Sequence, residues 1–367
     1  MRASQRVQEI WRKGVTAVDG YSATMEAVQT IEQPDQILAV GKAAGAMARA
    51  AAEHFETVPT LVVTKDGHGD GLPSHVAVIE ASHPVPDTRS LAGGQALREA
   101  VENMEPDGRL LLMVSGGASA LAEDLVLGKT LDDLAILNQR LLGSGLDIGA
   151  MNAERRKLSR IKGGGLLSRF PGRAVSVLAI SDVPGDDLGV IGSGIGSLPE
   201  TSKFAASTSI IASNAHARSA AASAAIQAGY QVLANEEALH DDYLTVASEI
   251  GRRLRDMPSG AMVFGGEPTV VLPERPGRGG RNQALALALA REIAGQPGLT
   301  VIVGGTDGTD GPTDAAGAIV TGETWSEDAL AYLDNADSGS FLDKARALLI
   351  TGPTGTNVMD LLIALRD

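Results

Sequence analysis

Cysteine is absent from the 367-residue chain, so a disulfide framework, a thiolate nucleophile and a cysteine-built zinc site are all excluded. Aromatic residues are scarce, 3% of the chain against 44% hydrophobic residues in all. The cores must therefore be assembled from Ala, Val, Leu and Ile, as in tightly packed helix-on-sheet layers. Positive charge is also short: 31 Lys and Arg against 45 Asp and Glu leave a net charge of −14. Nucleic acid needs a basic face and is not an expected partner. No apolar run reaches the length of a bilayer span, and the opening MRASQRVQEIWRKG lacks the apolar stretch of a signal peptide. A cytoplasmic chain without membrane contact is expected. An acidic chain that binds phosphates must gather its few cations locally, so Lys and Arg beside glycine loops are the residues to follow.

Glycine, by contrast, is abundant, with 44 residues, many in short clusters. Such clusters mark places where backbone approaches another group or takes positive φ. Short apolar runs alternate with helical patterns from the start: QILAV, TLVVTK, HVAVIEA, RLLLMV and AVSVLAI read as strands, with helices over about 89–103 and 131–161. Unbroken apolar strands alternating with helices imply a parallel sheet covered on both faces, with ligands at the carboxyl ends of the strands. A second unit, with AMVFGGEPTVVL, a helix over about 282–294 and the strand LTVIVGG, begins after Asn235. The expected division is 1–235 and 236–367.

Six segments could carry chemistry. Lys42 follows QILAV at a helix start; this suits an anion and equally a solvated helix-start lysine. SGGASA, Ser115–Ala120, follows RLLLMV; Ser115, Gly116, Gly117 and Ser119 could line a phosphate, with Ser119 capping the next helix, or form a plain strand–helix turn. SDVPGDD places Asp182, Asp186 and Asp187 at the end of a buried strand, as magnesium ligands or a polar turn. GRGGRNQALALALA presents Arg278 and Arg281, with Asn282 opening the helix; an arginine there can fork onto a carboxylate or phosphate. GTDGTDGPTDAAGA carries Asp307, Asp310 and Asp314, for metal holding, for a base or for helix capping; its spacing is not that of a calcium loop. TGPTGT, Thr351–Thr356, either touches ligand or braces the aspartate loop. Gly128-Lys129-Thr130 lacks the upstream glycine of a Walker loop, no GxGxxG exists, and no GxSxG elbow surrounds the serines. His83, in SHPVPD, reads as a loop hydrogen-bonder.

Taken together, VGKAAGAMA, HPVPD, SGGASAL, MNAERRKLSRIKGGGL, SDVPGDD, GGEPTV, GRNQALALA, GTDGTDGPTDAAGA and TGPTGTNVMDL resemble, in order and over most of the chain, the type II glycerate kinases. These are the glycerate 2-kinases whose C-terminal part is called the MOFRL domain. The resemblance implies a Rossmann-like parallel-sheet N-terminal domain, a smaller α/β C-terminal domain and an interdomain cleft. It implies ATP-dependent phosphorylation of D-glycerate to 2-phosphoglycerate with Mg²⁺; the partners are then ATP and glycerate, with a homodimer allowed. Lys42 and Arg281 match the family's charged cleft residues. On this footing Lys42 and Arg281 are expected to be catalytic, with Asp310 orienting the attacking hydroxyl. Ser115, Gly116, Gly117, Ser119 and Asn282 are expected to bind substrate or nucleotide, and carboxylates from Asp182, Asp186, Glu267 and Asp307 to hold the metal. The chain departs from the family in IGSGIGSLPE, where Ile195 replaces an expected proline, and at Gly149-Ala150, where an acidic residue is common. Members are often labelled hydroxypyruvate reductase; that alternative needs NAD(P)H, whose glycine fingerprint is missing.

Overall fold

The structure, a computed structural model, describes residues 3–142 and 148–367. The side chains at Gly149-Ala150 lie outside the described ones. Among the described residues twelve strands form two six-stranded sheets. The strands of the first sheet are β1 (Gln36–Val40), β2 (Thr60–Lys65), β3 (Ala77–Ala81), β4 (Arg109–Val114), β5 (Ala174–Ile180) and β6 (Ala205–Ala212). Those of the second are β7 (Val232–Glu237), β8 (Gly260–Gly266), β9 (Leu299–Gly305), β10 (Ala315–Thr321), β11 (Leu348–Ile350) and β12 (Asp360–Arg366).

The chain divides into two compact units. The first comprises Gly20–Ser213 and Gly355–Asn357; the second comprises Met1–Asp19, Asn214–Thr354 and Val358–Asp367. The boundary expected after Asn235 falls inside β7, and the opening helix belongs with the C-terminal half. The reason is burial: Val7, Ile10 and Trp11 of the helix Ala3–Thr16 form one core with Ala221 and Ala225 of a later helix and with Leu361 and Ile363 of β12. Amphipathic spacing marks an apolar face but not the surface that covers it.

In the first unit every strand pair is parallel, in the order β3-β2-β1-β4-β5-β6. QILAV, RLLLMV and AVSVLAI read as unbroken apolar runs because the central strands are buried on both faces: Leu38, Val40, Leu110, Leu112, Val114 and Val177 fill one core. The direction of winding reverses between β1 and β4, and such a switch point opens a crevice at the carboxyl ends of the strands.

The second sheet is mixed, in the order β11-β10-β9-β12-β8-β7. β12 runs antiparallel between β8 and β9, while β7 and β8 are parallel. The helix Arg281–Glu292 lies on this sheet with Asn282 to Ala290 all buried. Its NQALALALA sequence has no polar face because it is covered all round. Among the described residues, no helix is long and apolar enough to cross a membrane.

Candidate active site

In the first unit the exits of β1 and β4 are stitched together at the switch point. The Lys42 amide donates to the Gly116 carbonyl at 2.8 Å, and the Ala43 amide donates to Ser115 Oγ at 3.1 Å. Ser115 is fully buried, so its hydroxyl holds the two exits in register. Gly116 is obligatory for close approach: a Cβ there would collide with the Asp182 carboxylate and the Asn357 amide. Gly117 takes φ of 81°, and a Cβ on it would lie 3.1 Å from both the His83 ring and the Lys42 stem. Lys42, His83, the SGGASA turn and Asp182 thus converge from the ends of β1, β3, β4 and β5.

Ser119 lies inside the short helix Ala118–Leu121, whose N-cap is Gly117, so it does not cap that helix. Its Oγ instead meets Ser193 Oγ at 2.8 Å, and Ser193 donates to Asn152 Oδ1 at 3.2 Å. The departing GSGIGS segment therefore buttresses the SGGASA turn, and Ile195 is buried in the core. Asp186 stands at φ of 55° in the turn after Asp182.

Beside this ensemble, Lys162 and Glu123 form an ion pair of 2.5 Å whose side chains are 2% and 0% exposed. Burial pushes the Lys162 pKa down and Glu123 pulls it back up; nearby Arg155 adds to the depression. Burial likewise lowers Arg155. Neither charge of the pair stood out in the sequence; the signal was a lysine beside three glycines in RIKGGGL, one of the family stretches.

In the second unit, Arg281 opens its helix and is held by carboxylates. Nε and Nη2 donate to Asp360 at 2.7 and 3.3 Å, and Nη1 pairs with Glu267 at 2.5 Å. Burial works against the Arg281 charge, but Asp360, with Glu267 and Asp310, more than offsets it and raises the guanidinium's pKa. Asp360, 1% exposed, was not singled out; a carboxylate opening the apolar run DLLIALR was the available sign.

Asp310 is a helix cap. Its two oxygens accept the amides of Asn282 (3.0 Å) and Gln283 (2.8 Å), and the Gln283 side chain donates to it at 3.0 Å. Burial pushes its carboxyl up to about 6 despite those donors. Both oxygens are engaged on the protein's own helix, which matches the capping option among those the sequence left open. Asn282 is buried, and its side-chain amide has no hydrogen-bond partner among the described residues. Such a group calls for a water or a ligand. Asp307 accepts the amide and hydroxyl of Thr309, at 3.0 and 3.1 Å. Thr354 donates to the carbonyls of Thr306 and Asp307, so TGPTGT braces the aspartate loop. Arg278 is exposed and paired with Asp343.

A switch-point lysine among glycine-lined strand exits, in one unit, and a carboxylate-held arginine at a helix start, in the other, define an α/β enzyme class that handles anionic groups. Residues 6–228 match the family described as a domain of unknown function, DUF4147, and residues 260–360 match the MOFRL family. A D-glycerate 2-kinase of Thermotoga maritima is 37% identical, with 97% of each chain covered. A crystal structure of glycerate kinase from the same organism superposes with a TM-score of 0.90 at 35% identity, over 99% of each chain. An Agrobacterium vitis protein, 34% identical over 89% of this chain and 85% of its own, carries the provisional label hydroxypyruvate reductase. The chain belongs to the glycerate 2-kinase family, with its DUF4147 region followed by MOFRL.

Proposed function

We propose that this chain transfers the γ-phosphoryl group of ATP to the 2-hydroxyl of D-glycerate, giving 2-phosphoglycerate and ADP. One observation carries the reading: Lys42 and the SGGASA turn are locked together at the switch point of a doubly wound sheet. The relatives named glycerate kinase supply the acceptor. Phosphoryl transfer asks for positioning and charge neutralisation rather than covalent chemistry. Lys42 stabilises charge developing on the γ-phosphate, and the small residues of SGGASA let backbone amides reach the ATP phosphates. Arg281, aimed by Asp360, offers its guanidinium fork to an anionic oxygen.

Magnesium fits this chain as a shared rather than a caged ion. Among the described residues no three acidic or histidine side chains are grouped so as to hold a metal ion by themselves. Asp182 is the best-placed oxygen donor, packed against Gly116 of the phosphate turn, with Asp186 in the following loop. Glu267 is engaged by Arg281 and Asp307 by Thr309. Mg²⁺ accepts such a setting because one or two carboxylates suffice when phosphate oxygens and water complete its octahedron. When bound it would neutralise phosphate charge.

A coupled ADP-release assay over a panel of small hydroxy acids, with the phosphorylated carbon fixed by NMR, tests the proposal. Lys42→Met and Arg281→Met should each lower kcat by about a thousandfold with the fold intact, the scale of an arginine finger. Near-wild-type turnover in both overturns the assignment. The reductase reading draws on the label of two Agrobacterium vitis relatives and on a strand order shared with dinucleotide-binding folds, but the chain lacks the glycine fingerprint. Consumption of NADH or NADPH with hydroxypyruvate would establish it.

A further inference from the structure

A cavity of about 160 Å³ opens in the first unit next to the switch point, lined by His83, Gly117, Ser119, Leu134, Arg155 and Lys162 among others. Its size is selective. A cavity of roughly 150 Å³ holds benzene, which has six non-hydrogen atoms. A three-carbon hydroxy acid has seven and is of a size to be held there, whereas ATP, with about thirty, would have to extend well beyond it.

The walls are chemically unequal. Arg155 and Lys162 both line the cavity, the Arg155 charge acts on Lys162, and Glu123 is ion-paired with Lys162. Glu123 balances the Lys162 charge, so the partly buried Arg155 is the cation that gives this lining its preference for an anion, and its planar fork favours a carboxylate. Gly117 and His83 form another part of the lining, and the Lys42 stem packs on that same Gly117. Leu134 supplies an apolar wall and is itself buried. One cavity therefore touches both Arg155 with Lys162 and the glycine turn against which the Lys42 stem packs.

We propose that this pocket is the acceptor site: Arg155 and Lys162 hold the carboxylate of a three-carbon 2-hydroxy acid, and Leu134 sets the limit on its length. The assignment rests on the kinase reading for its substrate class, and adds residues that reading does not use.

The test uses the full chain. D-glycerate binding is measured by calorimetry, alone and with a non-hydrolysable ATP analogue, beside steady-state kinetics for both substrates. Arg155→Gln should weaken D-glycerate binding and raise its KM by about 10- to 100-fold, the range of one charge-assisted hydrogen bond. The KM for ATP should move less than about threefold, and Arg155→Lys should restore part of the loss. Leu134→Ala should shift the preference toward four-carbon hydroxy acids by about tenfold in kcat/KM, a gain that a damaged fold cannot produce. An unchanged D-glycerate KM in Arg155→Gln, or an unchanged length preference in Leu134→Ala, overturns the pocket assignment. So does wild-type chain that binds inorganic phosphate but not D-glycerate, with that binding lost in Arg155→Gln. Wild-type chain that binds D-glycerate through Arg155 yet turns over no hydroxy acid with ATP would keep the pocket and sink the kinase reading.

Discussion

Replacing Lys162 by Met while leaving Glu123 in place should be among the most damaging single changes available in the first unit. The two side chains are 2% and 0% exposed and 2.5 Å apart, so the variant strands a carboxylate where water cannot reach it. Breaking such a buried pair costs about 3–5 kcal/mol, while replacing both partners with neutral groups is often close to neutral. Glu123→Gln retains an oxygen for the Asp124 amide that Glu123 Oε1 accepts at 3.0 Å, but leaves the Lys162 ammonium without its counter-charge. The double variant Lys162→Met/Glu123→Gln should lose no more than about 2 kcal/mol, so the coupling energy of the cycle should be about 3 kcal/mol or more. For a unit of 150–250 residues each kcal/mol moves the midpoint by about 2–4 °C, so Lys162→Met should melt about 10 °C lower. Scanning calorimetry and urea titration of the four proteins provide the measurement. A Lys162→Met variant within about 1 kcal/mol of wild type, or a double variant worse than both singles, would refute the reasoning.

Other consequences follow from the same geometry. Asp360→Asn removes the main counter-charge of Arg281; kcat should fall at least about tenfold with smaller changes in either KM, and a matching loss on Arg281→Met alone but none here would show that Asp360 does not aim it. Gly117→Ala forces a side chain into the left-handed region and against the His83 ring and Lys42 stem, so it should cost about 1–2 kcal/mol in urea titration and lower turnover as well. Asp310, with its carboxyl raised to about 6 in the folded chain, holds a proton there at pH 5 that the unfolded chain has released. Its contribution to stability is full below about pH 4 and lost as pH rises through about 6, a swing of about 3 kcal/mol. Asp310→Asn should remove that swing from the pH dependence of unfolding, and superimposable pH profiles would count against it.

Local pattern carried much of the first unit. QILAV, RLLLMV and AVSVLAI declared buried parallel strands, and the residues just after them, Lys42 and SGGASA, do lie side by side at the switch point. Charges whose partners are distant in sequence were not legible. Glu123 and Lys162 are 39 positions apart, and Arg281 and Asp360 are 79 apart. Nothing local distinguishes a buried ion pair from two solvated charges. The choice among the roles offered for Asp310 stayed open for a different reason: a carboxylate that caps a helix through space has the same local sequence as one that awaits a substrate. Pattern also could not reveal that β12 enters the second sheet between β8 and β9, because strand order is set by tertiary packing.

That central place of β12 has a bearing on how the polypeptide acquires its shape during synthesis. The helix Ala3–Thr16 emerges early but shares its core with Leu361 and Ile363. It must therefore stay unpartnered while the whole stretch from Gly20 to Ser213 is made and folds around its own parallel strands. Until residues 360–366 arrive, β8 and β9 present unpaired edges to each other's side of a gap. The half of the molecule that carries Arg281 is thus the last to close and the one most in need of protection from aggregation while the ribosome is still at work.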